Sequence, residues 1–486
     1  MRLAAALVLL ISISRAATLA DRVREVLERP AARGVLWGVK VVDLGSGETL
    51  YELNAEKLFI PASNTKLFST ALALVRLGPE YRFLTRVAAE GPPDPAGRIS
   101  GDLVLVGGGD PNLSRRALPY EKKQEFTAPD PLEELAAEVA ALGVRRVEGA
   151  IVGDDTRYLW QPYAIGWAIE DAANGDGPPV TALSVYDNVV ALKIRPGGRA
   201  EWDAPAAYYQ LDNRILPGAA ESRIRIHRPP GDRTVHVWGE MSAKDPGRAE
   251  LLAIDDPALY AAQAFRDALV RHGIVVVGEA RSRHAFPWDL VANLPPGYSL
   301  ASRSSMPLIE DLRVINKVSQ NLHAEIVVRE TARERRGAGS WEASDEERKA
   351  FLSEIGLRPE EYFLRDGSGL SRQNLVSPGA VIALLAYMWR SPHKEAWLET
   401  LPIAGVDGSL QARFLATPAA EILRAKTGTL THVSALSGYI DAPDGRRLAF
   451  SVFANNYSGD AARVRGIIDR LSTALFGASV PVSTAR

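Results

Sequence analysis

Cysteine is absent from the 486 residues, which removes disulfides, thiolate nucleophiles and sulfur-ligated metals. Covalent chemistry in this chain must run through oxygen or nitrogen. Charge of either sign is not in excess: 57 basic against 59 acidic residues leave a formal net charge of -2, so no global positive field gathers nucleic acid or an anionic membrane. Histidine is scarce, with seven in all, and no His-Glu-x-x-His pair occurs. His323 and Glu325 have the wrong spacing for a helical zinc site. Neither a catalytic metal nor a cofactor is expected. Gly107-Gly108-Gly109 lacks the Lys-Ser/Thr of a phosphate loop, and Gly367-Ser368-Gly369 lacks the wider Gly-x-Ser-x-Gly elbow, so both read as turns. A long hydrophobic run is also missing. The stretch Leu3 to Ile13 is about half of the roughly 20 residues that cross a bilayer, and no stable membrane span is expected.

Apolar residues at 46% and charged residues at 24% are the usage of an ordinary folded protein. The length exceeds what one core serves, so two or more domains are expected. Met1-Arg2, the apolar run and Ser14-Arg15-Ala16-Ala17 read as charged start, hydrophobic stretch and small-residue cleavage site. Residues 1–17 are therefore expected to be a signal peptide that is removed, leaving an exported, periplasmic protein. No Cys follows, which excludes lipid anchoring there.

After this leader, Thr18 to Glu28 has helical spacing, and Val35 to Val42 and Glu48 to Leu53 alternate like a hairpin around Asp43-Leu44-Gly45-Ser46-Gly47. Leu67, Thr70, Ala71, Leu74 and Leu77 then recur at helical spacing until Gly78-Pro79. From about Tyr81 to about Leu300 short β-like runs alternate with turn signals. Beyond Ser305 the pattern is helical through Leu308 to Glu334 and Pro378 to Arg390, followed by strands Ser434 to Ile440 and Leu448 to Asn455. A helix, Ala461 to Phe476, closes the chain. The expected fold is mixed α+β: an antiparallel sheet flanked by helices, formed by 18–85 and 300–486, interrupted by a β-rich insertion over 86–299 that reads as two modules.

Three short motifs carry chemistry. Ser63-Asn64-Thr65-Lys66 opens a helix, and residues three apart share a helix face, so the Lys66 amine can take the Ser63 hydroxyl proton. A neutral lysine is required, which burial beside a second cation such as Lys426 would favour. Ser-x-x-Lys alone is expected about twice by chance in such a chain. Ser391-Pro392-His393-Lys394 is a match of that kind, rejected by its place in a break between helices. Ser319-Gln320-Asn321 follows, within or at the edge of a helical run. Lys426-Thr427-Gly428 opens a β-like stretch and is the sharpest of the three, expected by chance in about one chain in ten.

In this order the motifs match the Ser-x-x-Lys, Ser-Asp-Asn and Lys-Thr-Gly set of penicillin-recognising enzymes, with Gln320 replacing Asp. The chain resembles the class C low-molecular-mass penicillin-binding proteins, which are D-alanyl-D-alanine carboxypeptidases and endopeptidases. The likeness extends to Val106-Gly107-Gly108-Gly109-Asp110-Pro111, Gly153-Asp154-Asp155-Thr156, Leu183-Ser184-Val185-Tyr186-Asp187-Asn188, Asp366-Gly367-Ser368-Gly369-Leu370-Ser371-Arg372 and Ala404-Gly405-Val406-Asp407-Gly408. The long gap between Ser63 and Ser319 separates it from compact β-lactamase-like proteins, which resemble this core without the insertion.

The resemblance implies a β-lactamase/transpeptidase-like catalytic domain, peptidoglycan stem peptides as substrate, and β-lactams as inhibitors. It implies Ser63 as nucleophile, Lys66 as base, Ser319 as proton relay and Asn321 as orienting residue. Lys426 and Thr427 would bind the terminal carboxylate, Gly428 would be part of the same substrate-binding strand, and the N–H of Ser63 and Thr429 would face the oxyanion. Asp155 and Arg372 match positions that would grip a diamino acid side chain, while Thr431 stands where relatives place a longer polar residue. A β-lactamase, or a non-catalytic penicillin or peptidoglycan sensor, remains the alternative.

Overall fold

The computed structural model describes residues 18–229, 231–288 and 297–476. The expected leader, residues 1–17, lies outside them. A five-stranded antiparallel sheet is ordered Arg424–Leu430, Val433–Asp441, Arg447–Asn455, Leu36–Asp43, Thr49–Leu53, so the two ends of the chain build one sheet. Period-two alternation sends neighbouring side chains to opposite faces. Leu448, Phe450 and Val452 pack with Val464, Ile467 and Leu471 of the closing helix Ala461–Phe476. Ala449 and Phe453 pack on the other face with Phe68 and Leu72 of the helix Thr65–Leu77 and Leu385 of Pro378–Arg390. Each large apolar side chain buried this way contributes about 1.5–3 kcal/mol.

Thr65–Leu77 keeps Leu67, Phe68, Ala71, Leu72 and Leu74 buried and ends where Gly78, at φ +81°, donates its N–H to Leu74. The apolar pattern from Leu308 to Glu334 predicts one helical run, but the structure holds two helices, Leu308–Lys317 and Asn321–Arg336. Ser319 adopts φ +65° between them, a left-handed conformation that stops a helix. Gln320 restarts it by accepting from the Leu322 N–H at 3.1 Å, the ordinary work of an N-cap side chain.

The middle of the chain forms a second five-stranded sheet, ordered Ala280–Ala285, Ile151–Leu159, Leu103–Val106, Leu84–Ala89, Tyr298–Ser304. The strand entering this region, Leu84–Ala89, pairs with the strand leaving it, Tyr298–Ser304. Three-stranded sheets formed by 189–253 lie beyond, and their apolar faces merge with the larger sheet in one buried cluster. Two helices, Pro131–Ala141 and Pro257–Arg271, were not read from the sequence. Both carry recognisable start signals: an Asp cap at 130 or 256 followed by Pro at the first position.

Buried polar networks join this region to the helix Asn321–Arg336. Glu330 accepts from the Arg157 guanidinium at 2.6 and 2.9 Å and from the Tyr158 hydroxyl at 2.7 Å. Asp187 accepts from Arg116 at 2.6 Å and lies 3.0 Å from His323 Nε2. Removing one partner of a buried network strands the others without solvent. Glu330→Ala is accordingly expected to destabilise the fold by about 3–5 kcal/mol, read as a lowered urea midpoint.

Candidate active site

The chain enters the site through Pro61 and a 3₁₀ turn, Ala62–Asn64, that runs directly into Thr65–Leu77. Ala62 sits at φ +48°, a conformation that costs about 1–3 kcal/mol and persists only where its surroundings hold it. Two glycines supply that hold. A Cβ on Gly369, itself at φ +85°, would lie 1.9 Å from the Ala62 carbonyl oxygen; one on Gly428 would lie 2.7 Å from that of Pro61. The turn bearing Ser63 is thus clamped between the loop at 366–372 and the strand Arg424–Leu430. Gly428→Ala should push that strand outward, and a shift approaching 1 Å costs on the order of 10- to 100-fold in acylation rate. The check is the second-order rate of labelling by a fluorescent penicillin.

Helical spacing brings Lys66 Nζ within 3.0 Å of Ser63 Oγ. The same ammonium donates to Asn321 Oδ1 at 2.6 Å and to the Ser368 carbonyl at 2.6 Å, so three acceptors meet its three protons. Lys66 is fully buried. Burial pulls its pKa down to about 8, against the opposing charges of Asp366, Glu325 and Asp176. Lys426, also fully buried, donates to Ser319 Oγ at 2.9 Å and to the Thr427 carbonyl at 2.9 Å. Its pKa is held well below the usual lysine value by burial and then by the charge of Lys66.

The predicted cluster of Ser63, Lys66, Ser319, Asn321 and Lys426 is therefore brought together. Thr427 Oγ1 donates to Ser409 Oγ at 2.8 Å, and Thr429 is exposed on the same strand, which forms an edge of its sheet. Ser409 follows Asp407-Gly408, and this turn is anchored to the end of the helix Leu308–Lys317 by a buried Lys317–Asp407 pair at 2.5 Å. Gln320 caps the helix Asn321–Arg336 by accepting from the Leu322 N–H, so the middle residue of this motif serves the backbone. The rejected match at Ser391 is engaged elsewhere, with Lys394 Nζ 3.6 Å from the centre of the Trp389 ring.

Asp155 is not part of this cluster. It is 2% exposed, and both its carboxylate oxygens lie 3.0 Å from His284 Nδ1. Burial raises the Asp155 pKa to about 6, while the paired His284 is raised to about 9 by its two carboxylate partners, Asp155 and Asp256, against burial. Arg372 is near the site: its guanidinium donates to the Thr431 carbonyl at 3.1 Å. The charge of Arg372 acts weakly on Asp171, whose segment continues to Asp176, where the backbone carbonyl accepts from Asn321 Nδ2 at 2.8 Å.

Sequence reasoning also missed the brace beneath Lys66. Glu325, one helical turn after Asn321, accepts from the N–H groups of Gly367 at 2.9 Å and Ser368 at 2.7 Å. Asp366 gathers the N–H groups of Gly369 at 2.8 Å and Ser371 at 2.6 Å and the Trp167 indole at 3.0 Å. Burial and the Asp366 charge raise the Glu325 pKa to about 7. The available signal was the i, i+4 spacing of Asn321 and Glu325. A cleft of about 520 Å³ lies beside Ser319, lined by Asn174, Asp176, Glu250 and Ser319 to Asn321.

Residues 19–475 match the D-Ala-D-Ala carboxypeptidase 3 (S13) family. The chain belongs to that family. This places the S13 protein among the peptidases, and so among the hydrolases. It is 37% identical over 466 residues to the D-alanyl-D-alanine carboxypeptidase of an Actinomadura species, covering 92% of this chain and 83% of that protein. The crystal structure of penicillin binding protein 4 from Haemophilus influenzae superimposes with a TM-score of 0.80 at 24% identity, covering 93% of this chain and 98% of that one. A second structure of that protein, complexed with a β-lactam, gives a TM-score of 0.75 at 25% identity, with coverage of 94% and 99%. A predatory peptidoglycan endopeptidase from Bdellovibrio bacteriovorus gives 0.52 at 15% identity, covering 91% and 92%. The mixed α/β, β-lactamase/transpeptidase-like fold expected from the S13 sequence is the one observed. Among the described residues no helix is long and apolar enough to cross a membrane.

Proposed function

We propose that this S13 protein is an exported serine D,D-carboxypeptidase, D,D-endopeptidase or both, which cleaves peptidoglycan stem peptides through a Ser63 acyl-enzyme and is inhibited by β-lactams. The observation that carries this reading is the 3.0 Å contact between Lys66 Nζ and Ser63 Oγ inside a shell completed by Asn321 and the Lys426–Ser319 pair.

Ser63 Oγ attacks the carbonyl of the penultimate D-alanine as a neutral Lys66 takes its proton. The N–H groups of Ser63 and Thr429 hold the oxyanion. The amide C–N bond breaks, and the proton passes through Ser319 to the leaving amine. Lys426, Thr427 and Gly428 hold the carboxylate of the leaving residue, and Asn321 orients both Lys66 and the substrate amide. Water then splits the Ser63 ester and restores the hydroxyl. Arg372 with Asp171, in place of the Asp155 expected from sequence, supplies charges of both signs for a zwitterionic side chain.

The pH dependence follows from Lys66. The reactive form is the free amine, and burial brings its loss of a proton down to about pH 8. Acylation should rise with pH through about 8 and level off above it, the sign set by deprotonation creating the base. The test is D-alanine release from a pentapeptide together with the lifetime of a fluorescent penicillin label. A stable label with D-alanine release supports the reading. Rapid loss of label points to a β-lactamase, and a stable label without D-alanine release to a sensor.

A further inference from the structure

The loop from Asp366 to Gly369 is held between the two helices that carry the reactive groups. Its carbonyls face Thr65–Leu77: that of Ser368 accepts from Lys66 Nζ and that of Gly367 from Ser69 Oγ, both at 2.6 Å. Its N–H groups face Asn321–Arg336, where Glu325 accepts from Gly367 at 2.9 and 3.0 Å and from Ser368 at 2.7 Å. The fit is close: a Cβ on Gly367 would lie 2.9 Å from the Ala324 carbonyl oxygen and 3.2 Å from Glu325 Oε2. Lys66, Glu325, Asp366 and Ser368 are fully buried.

Acylation requires Lys66 as a free amine, which has two N–H groups and one lone pair. Asn321 Oδ1 and the Ser368 carbonyl, each at 2.6 Å, take the two N–H groups, and Ser63 Oγ is the third neighbour, at 3.0 Å. The lone pair is thereby left for the Ser63 proton. One turn of helix supplies both acceptors: Asn321 directly, and Glu325 through the loop that it grips. Among the charges around Glu325, Asp366 on the loop opposes its ionisation and Lys66 lies across the loop. Arg329, one turn further along the same helix, donates to the carbonyls of Leu159, Gly339 and Gln161. Arg348, from the helix Trp341–Glu354, donates to the carbonyls of Leu364 and Asp366. Lys66 also feels the charges of Asp176 and Lys426.

We propose that Glu325 is a positioning residue for acylation: by gripping Gly367 and Ser368 it aims the Ser368 carbonyl at Lys66, and its negative charge acts on that amine across the loop. The proposal rests on the acyl-enzyme reading above and adds a residue that touches neither the substrate nor the reacting atoms. Geometry and charge act in opposite senses. Holding the carbonyl speeds proton removal from Ser63, while the carboxylate favours the ammonium form of Lys66 and delays its loss of a proton. At the Lys66 midpoint of about pH 8 Glu325 is mostly ionised, since burial and Asp366 raise its own pKa only to about 7.

The experiment follows the second-order rate of labelling by fluorescent penicillin from about pH 6 to about pH 10. The full-length parent is compared with Glu325→Gln and Glu325→Asp. Glutamine removes the charge and turns one acceptor oxygen into a donor that faces N–H groups. Its rate at the high-pH plateau should fall about 10- to 100-fold, and its midpoint should move to lower pH by about one pH unit, because the charge that favoured the ammonium is gone. Aspartate keeps the charge but is one methylene shorter, so its plateau should fall about 10-fold with the midpoint where the parent has it. A merely structural role lowers the rate alike at every pH. An unmoved midpoint in Glu325→Gln therefore overturns the proposal, as does a plateau within about 2-fold of the parent in both variants. The final extent of labelling counts folded protein. Should Glu325→Gln not label at all, Glu325→Asp decides: a lowered plateau at the parent's midpoint supports the proposal, and an unchanged plateau or a displaced midpoint overturns it. Failure of the underlying reading is separately visible as labelling that does not depend on Ser63.

Discussion

Alanine at position 63 is expected to abolish both covalent labelling by a fluorescent penicillin and release of D-alanine, a loss of about 10⁴-fold or more. Ser63 Oγ is the hydroxyl that Lys66 Nζ meets, at 3.0 Å, and the cysteine-free chain has no thiol to substitute for it. The substitution leaves the clamp intact, because Gly369 and Gly428 press on the carbonyls of Ala62 and Pro61 and not on the Ser63 side chain. Stability should change by about 1 kcal/mol, the worth of one hydrogen bond. Lost activity with an unfolding midpoint lowered only slightly, as a change of about 1 kcal/mol requires, is thus the expected pair of results. Labelling that persists in Ser63→Ala would sink the assignment of the nucleophile.

Lys66 should be almost as sensitive, and two variants separate its roles. Lys66→Ala removes a buried amine together with its bonds to Asn321 and Ser368, so a loss could reflect disturbed packing. Lys66→Arg keeps a cation but places there a group that does not deprotonate in proteins. If Lys66 acts as the base, both variants lose about 10³-fold or more in acylation, and the rise in rate through pH 8 disappears. An arginine variant that kept its rate and pH profile would show that positive charge, not proton removal, is what the position supplies.

Much of the fold was legible because it is written locally. The strands Arg447–Asn455 and Leu36–Asp43 show their alternation, and the helices Thr65–Leu77 and Pro378–Arg390 show their stop and start residues. The break between Lys317 and Asn321 was not legible. The apolar spacing runs on through it, and what interrupts it is the left-handed backbone of Ser319. Asp155 was misplaced for a related reason: sequence likeness gives a residue's type and order, not whether its carboxylate faces a cleft or, as here, His284.

The sequence by itself determined the chemistry available: a serine hydroxyl with no thiol rival, an amine one helical turn from it, and a second lysine on a strand. These follow from composition and from i, i+3 geometry, which need no distant contact. Only the tertiary structure decided that Asn321, 255 positions from Lys66, accepts from that amine, and that Ser319 meets Lys426 across 107. It also decided that Glu325 and Asp366 brace the loop beneath, and that a cleft lies beside Ser319. Such pairings depend on how separate segments pack, and burial of both lysines, the physical source of their lowered pKa values, exists only once they have packed.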